Sequence, residues 1–348
     1  MAELTGFQRR GSQVWLIAPA QNRVFRRALD ANVATMPLRP EKWRFPFEAA
    51  RIARWLKQQH VDVVNTHSSR DGWMIGLAGR LARVPLIVRT RHIDVEYPNQ
   101  WLSRHAFATL ADHVLTTSQK ITAHFQEMFR LPDDRISTVP TGIDRDRFSP
   151  AGPKASLVGK EAENTPLIGM ISVLRSWKGH TTFLEAAQLL KATGFRGRFV
   201  IVGDGPIRQW IEEQIREKQL TDRVALIGHR EDVPESLRAL SVLVIASTKH
   251  EGVPQIGLQA LATKTPVVGS NVGGIPEIIR HGETGRIFPA GDPHALAGAV
   301  RETLEDVDAT RSMGERGRAM VEARHSLDAM LDTIDGIYQR CLGARNSG

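Results

Sequence analysis

The stretch Val242–Pro289, VLVIASTKHEGVPQIGLQALATKTPVVGSNVGGIPEIIRHGETGRIFP, decides the architecture. It opens on an apolar run, Val242–Ala246, of the kind that forms a strand buried on both faces. A polar loop with Glu251, Gly252 and Pro254 follows, then good helix formers from Gln255 to about Thr263, then a second strand at Pro266–Gly269. A Gly273-Gly274 turn leads into another short helix near Pro276. Strand, loop and helix start, twice in succession, is how a doubly wound α/β sheet builds a ligand crevice at the carboxyl ends of its strands. The first helix start has backbone N–H groups without intrahelical partners and a proline where proline is tolerated, and such a terminus attracts phosphate or another anion. A carboxylate at Glu251 beside that anion needs a second role, such as bonding sugar hydroxyls.

Ser247, Glu251, Gly252, Pro254, Ala260, Ala262, Pro266-Val267-Val268, Gly273-Gly274, Glu277, Gly282 and Gly285 together resemble the donor segment of a known enzyme family. This is the retaining, nucleotide-sugar-dependent glycosyltransferases of the sucrose-synthase-like family (family 4, GT-B fold). The family pattern has a second Glu eight residues after the first, holding the nucleotide ribose; here that position is Gln259. An amide still bonds hydroxyls but forms no charge-assisted pair, so the resemblance implies weaker or differently arranged ribose binding.

With 348 residues, the length favours two domains, each with its own core. The single cysteine, Cys341, leaves no internal disulfide framework and suits a reducing cytoplasm. No apolar run approaches a membrane span, and the start MAELTGFQRRGSQ has no signal-peptide core. The net charge of +8 is uneven: residues 1–160 carry 24 Lys and Arg against 14 Asp and Glu, the remainder 22 against 24. Solvated helix faces are the plain reading of this basic half; the sharper one is a face that sits on an anionic membrane surface. Nucleic acid is not expected, because no recognition motif accompanies the charge.

The first half alternates strands (Gln13–Pro19, Val61–Thr66, Leu86–Thr90, His113–Thr117, Arg135–Pro140) with helical patterns at Pro46–Gln59 and Gly72–Ala82, which argues a parallel sheet. Relative to the family, the opening strand and Gly-rich loop are expected to be absent, Met1–Arg10 supplying only the tail of a helix. His67 and His92 each follow a strand end, where ligands bind in such sheets. His92 matches the family's Thr-x-His position, which implies an imidazole near the donor sugar and diphosphate; a structural role for His67 is equally open. Arg70 is a candidate for the acceptor side, with a loop ion pair as the alternative. Ser118 is placed to cap a helix.

Residues 151–166 read as a linker and Leu167 as the start of a second domain. In LIGMISVLRSWKGHTTFLEAAQLL, Lys178-Gly179 matches the family's diphosphate-gripping loop, whereas Val173 stands at the usual Arg position, leaving Arg175 as a substitute. Two cations beside a helix start would stabilise charge growing on a leaving phosphate. Gly203 and Gly205 match a family turn that permits close backbone approach. His229 and Arg230 follow Val224–Gly228, which resembles the family strand whose loop meets the nucleotide base. No Cys/His cluster suggests zinc, and the Asp144/Asp146 and Asp306/Asp308 pairs are not a metal-diphosphate site.

The expected architecture is therefore α/β: an acceptor-side domain over 1–150, a donor-binding domain over 167–325, and a last helix over 326–348 crossing back to the first. The implied reaction is metal-independent, cofactor-free hexosyl transfer with retention. It would run from a nucleoside diphosphate sugar to a glycan or lipid-linked acceptor, in the cytoplasm or at the membrane's inner face. Glu251, Lys178 and His92 are the catalytic candidates. Arg175, Gly252, Val253, Pro254, Gln255, Ile256, Gln259, Gly203, Gly205, His229 and Arg230 are expected to bind the donor. A silent transferase-like subunit and a nucleotide-sugar epimerase of the same fold are the alternatives.

Overall fold

A computed structural model of the protein describes residues 1–39, 41–92, 100–159 and 165–346. The chain runs α1 (Ala2–Arg9), β1 (Trp15–Ala18), α2 (Arg23–Asp30), β2 (Ala34–Pro37), α3 (Phe45–Gln58), β3 (Val63–Thr66), α4 (Ser69–Ala82), β4 (Leu86–Arg91), α5 (Gln100–Ala108), β5 (His113–Thr116), α6 (Gln119–Phe129) and β6 (Ile136–Thr138). It continues through β7 (Leu167–Ile171), α7 (His180–Ala192), β8 (Arg198–Val202), α8 (Arg208–Glu217), β9 (Val224–Gly228), α9 (Val233–Ala239), β10 (Val242–Ile245) and α10 (Gln255–Ala262). It ends in β11 (Val267–Ser270), α11 (Ile275–Ile278), β12 (Arg286–Phe288), α12 (Pro293–Glu305), α13 (Val307–Arg324) and α14 (Leu327–Asn346). These elements fall into two compact units, Met1–Gly142 with Leu327–Gly348, and Ile143–Ser326.

The second unit holds one six-stranded parallel sheet in the order β12-β11-β10-β7-β8-β9. Its strands read as continuous apolar runs because helices cover both faces. Successive residues point to opposite sides: Ile168, Met170, Val242 and Val244 join Phe183 and Leu190 of α7, while Leu167, Leu243 and Ile245 join Leu258 and Leu261 of α10. Phe148 and Leu157 pack into that second core. Strand order reverses between β7 and β10, so the chain winds outward in both directions from this pair. Such a switch point opens a crevice at the carboxyl ends of the two strands.

In the first unit β1 and β2 form a separate parallel pair, and β3-β4-β5-β6 a four-stranded parallel sheet. Among the described residues no strand bridges β1 and β3. The short edge strand β2 escaped the sequence reading because ATMP carries no apolar run. Helix α14 lays Ile334 and Ile337 on Leu86, Val88 and Leu115. Helix α1 packs on α14 so closely that a Cβ on Gly6 would lie 2.5 Å from a Leu331 methyl. Arg10 pairs with Asp328 and Asp332 at 3.3 and 2.7 Å. The expected cap at Ser118 forms, its Oγ accepting from the Ile121 N–H at 3.1 Å. No helix among the described residues is long and apolar enough to cross a membrane.

Candidate functional site

Lys178 follows β7 and Glu251 follows β10, so the two residues arrive from either side of the switch point. The Lys178 ammonium donates to both carboxylate oxygens of Glu251, at 3.0 and 2.7 Å. Ser247 Oγ donates to Oε2 of the same carboxylate at 2.7 Å. Glu251 is nearly buried, its side chain 8% exposed, and the Lys178 side chain is 23% exposed. The pair lines a cavity of about 200 Å³, floored by the strand ends Met170, Ile171, Val244 and Ile245. Ser172, Val173, Pro254, Gln255 and Ile256 complete its wall. Pro254 is the N-cap of α10 and makes no side-chain cap. Gln255 and Ile256, whose N–H groups have no carbonyl one helical turn before them, line the same cavity as Lys178. Cation and helix start together suit an anion with several oxygens.

Backbone contacts too tight for any side chain hold this geometry. At Gly179, φ is +77° and an added Cβ would lie 1.8 Å from the Ala246 carbonyl oxygen. At Gly273, φ is +58° and the same atom would meet the Glu251 carbonyl oxygen at 1.9 Å. The Thr248 N–H donates to the Trp177 carbonyl at 2.8 Å, and Ser270 Oγ to the Ser247 carbonyl at 2.6 Å. The loop after β10 is thus clamped between the loop after β7 and the turn after β11. Ser247 and Ser270 escaped the sequence reading as supports, although the Ser-x-x-x-Glu spacing carried the first.

The remaining candidates of the second unit scatter. Arg175 does not line the cavity: its guanidinium lies over the Trp177 ring, 5.3 Å from the centroid. Val173, at the position where the resemblance leads one to expect Arg, is 56% exposed at the cavity wall. Gly252 is buried and Val253 half-buried at the start of the α10 approach. Gln259 sits on α10 outside the cavity wall, its carbonyl accepting from Thr263. Gly203 and Gly205 back onto the Ser172 and Leu174 carbonyls, with added Cβ atoms 1.9 and 2.4 Å away. His229 contacts Glu231 at 2.9 Å, and Arg230 contacts Asp232 at 2.8 Å.

In the first unit the ends of β3 and β4 bring His67 and His92 together, Nδ1 to Nε2 at 3.1 Å. Glu3 stands 3.9 Å from His67. Asn65 donates to Glu3 and to the Tyr338 hydroxyl, both at 3.1 Å, and accepts from Thr90 at 2.7 Å. His92 keeps an edge open to solvent, yet its pKa is lowered to about 4, by lost hydration on its inner side first, then by His67 and Arg91. It is a neutral imidazole at pH 7. Burial pushes the Tyr338 phenol well above its usual range. The Arg70 side chain lies outside the described residues. A larger cavity of about 410 Å³ includes Leu86 and His113, the first residues of β4 and β5. It therefore opens at the amino ends of the strands, the edge that α/β sheets do not use for ligands. Among the described residues no three His, Cys, Asp or Glu side chains are arranged to hold a metal.

Two family models match the chain: Glycosyltransferase Family 4 over residues 3–147 and Glycosyl transferases group 1 over residues 155–320. An alpha-D-kanosaminyltransferase of Streptomyces kanamyceticus is 27% identical, over 76% of this chain and 72% of its own. A UDP-Gal:alpha-D-GlcNAc-diphosphoundecaprenol alpha-1,3-galactosyltransferase of Escherichia coli is 29% identical, over 82% and 77%. A glycosyltransferase crystal structure from Rickettsia africae superposes with a TM-score of 0.86 at 22% identity, covering 98% of this chain and 93% of that one. The chain belongs to the group 1, family 4 retaining glycosyltransferases and has the GT-B fold.

Proposed function

We propose that the protein moves a hexosyl residue from a nucleoside diphosphate sugar to an acceptor hydroxyl, with retention, in the synthesis of envelope polysaccharide, lipopolysaccharide or glycolipid. The observation that carries this reading is the meeting of the Lys178 ammonium, the Glu251 carboxylate and the start of α10 in one cavity at the switch point. Lys178 and the amides of Gln255 and Ile256 take the diphosphate, whose charge grows as the glycosidic bond breaks. Preorganised donors aimed at developing charge contribute most to catalysis when water is excluded. Glu251, an acceptor-only group, takes sugar hydroxyls, and Gln259 takes the ribose. His92 acts as a neutral donor or acceptor of hydrogen bonds. The Glu251 carboxylate, held by Lys178 and Ser247, is not poised as a covalent nucleophile; the leaving phosphate itself receives the acceptor's proton.

A lipid-linked acceptor is supported by the relative named for transfer to a diphosphoundecaprenol-linked sugar. It is supported as well by the basic first half, where the exposed Trp43, Phe47 and Trp101 lie in sequence among Arg39, Arg44 and Arg104. Aromatic and cationic side chains together favour an anionic interface, so we place the protein at the inner face of the membrane. The test is a screen of nucleotide sugars with the purified protein, reading released nucleoside diphosphate. Turnover of at least one donor, lost in Lys178→Ala and Glu251→Ala, is the expected result; equal turnover in both variants would overturn the assignment.

A further inference from the structure

We propose that Glu251 is an internal competitor for the cation that grips the diphosphate, so that the cavity prefers a sugar-bearing donor to a bare diphosphate. The inference rests on the donor-site reading above and adds to it a rule of selection. The Lys178 ammonium directs two of its three donors at one carboxylate, and Ser247 donates to Oε2, one of the two oxygens that the ammonium holds. A diphosphate entering the cavity must draw Lys178 away. Glu251 is then left with Ser247 alone, in a nearly dry position, and an acceptor-only carboxylate stripped of its donors is costly there. A nucleotide sugar brings its own remedy, because the hexose hydroxyls that follow the diphosphate donate to the carboxylate as the ammonium leaves it. A nucleoside diphosphate or inorganic pyrophosphate brings none. Re-formation of the pair therefore favours departure of the diphosphate once the sugar has been transferred. Ser247 is a positioning residue in this scheme: it acts through Glu251, and Ser270 steadies it in turn through the Ser247 carbonyl.

Inorganic pyrophosphate is the probe that bypasses the unknown base, titrated calorimetrically against the full-length protein beside UDP-glucose and GDP-mannose. Glu251→Gln keeps the shape and removes the competing charge. It is expected to tighten pyrophosphate binding by at least about tenfold, or 1.4 kcal/mol, while the better of the two nucleotide sugars binds no more tightly than to wild type. Ser247→Ala, which leaves the carboxylate with no side-chain donor but Lys178, is expected to shift pyrophosphate affinity the opposite way, weakening it. Adding Lys178→Met to Glu251→Gln is expected to abolish the gain. Unchanged or weaker pyrophosphate binding to Glu251→Gln, or tighter binding to Ser247→Ala, would overturn the inference while leaving the donor site in place. Failure of wild type and variants alike to bind pyrophosphate or either nucleotide sugar would overturn the donor site and the inference with it.

Discussion

Removing Lys178 from its pair with Glu251 is predicted to cost more stability than removing both partners. Lys178→Met takes two of the three hydrogen bonds that reach the Glu251 carboxylate and leaves Ser247 Oγ as the third. Breaking a buried pair in this way costs about 3–5 kcal/mol. Lys178 is 23% exposed along its side chain, which gives water a route to the orphaned carboxylate and lowers the expectation to about 2–3 kcal/mol. Glu251→Gln leaves the more accessible ammonium, which can turn to solvent, at a cost of about 1 kcal/mol. The double variant replaces both charges with neutral groups of similar shape and should lie within about 1 kcal/mol of wild type. The cycle thus closes with a coupling energy of about 2–4 kcal/mol, read from urea unfolding of the three variants. Single costs that add to within about 0.5 kcal/mol would show that the ion pair is not formed in solution, and the electrostatic reasoning would fail with it.

Gly179→Ala and Gly273→Ala each force a Cβ into a backbone carbonyl, at 1.8 and 1.9 Å, from a left-handed φ; each should lower stability by about 3 kcal/mol or more, visible as a drop in Tm. For Gly273→Ala, material that does fold should also lose kcat, because the displaced carbonyl is that of Glu251. His113 and His180 are 4% and 1% exposed, and burial first lowers the pKa of each to about 4 from 6.5. The unfolded chain binds those protons and the folded one does not, so stability is full above pH 6.5 and falls as pH drops toward 4. The loss is about 3 kcal/mol per histidine, and a flat stability profile between pH 6.5 and 4.5 would contradict the burial argument. Arg175→Ala should alter donor KM less than threefold, against more than tenfold for Lys178→Ala, because its guanidinium rests on Trp177 away from the cavity. Ser118→Ala should destabilise the first unit by about 1 kcal/mol through loss of the α6 cap.

Much of the fold is written in local pattern. Apolar runs such as Val242–Ala246 and FVIVG at Phe199–Gly203 specify strands buried on both faces, and their alternation with helical stretches specifies a parallel doubly wound sheet. Glu251-Gly252, Pro254 and Gly273-Gly274 were legible for the same reason, since a turn or a helix start leaves its mark within a few residues, whereas Lys178-Gly179 was legible through the family resemblance. What Lys178 and Glu251 do to each other was not legible. They are 73 positions apart and meet only because β7 and β10 are neighbours at the reversal of strand order. Neither propensity nor periodicity reports which strands lie side by side. The same limit applied to Arg175, whose position over the Trp177 ring no local pattern reports, and to His67 and His92, which became a pair only when β3 and β4 aligned. Sequence determined which groups stand near the carboxyl ends of the strands, because that follows from chain direction and turn chemistry. Tertiary structure alone decided which of them touch, because a long side chain finds its partner by reach and burial across the sheet rather than by distance along the chain.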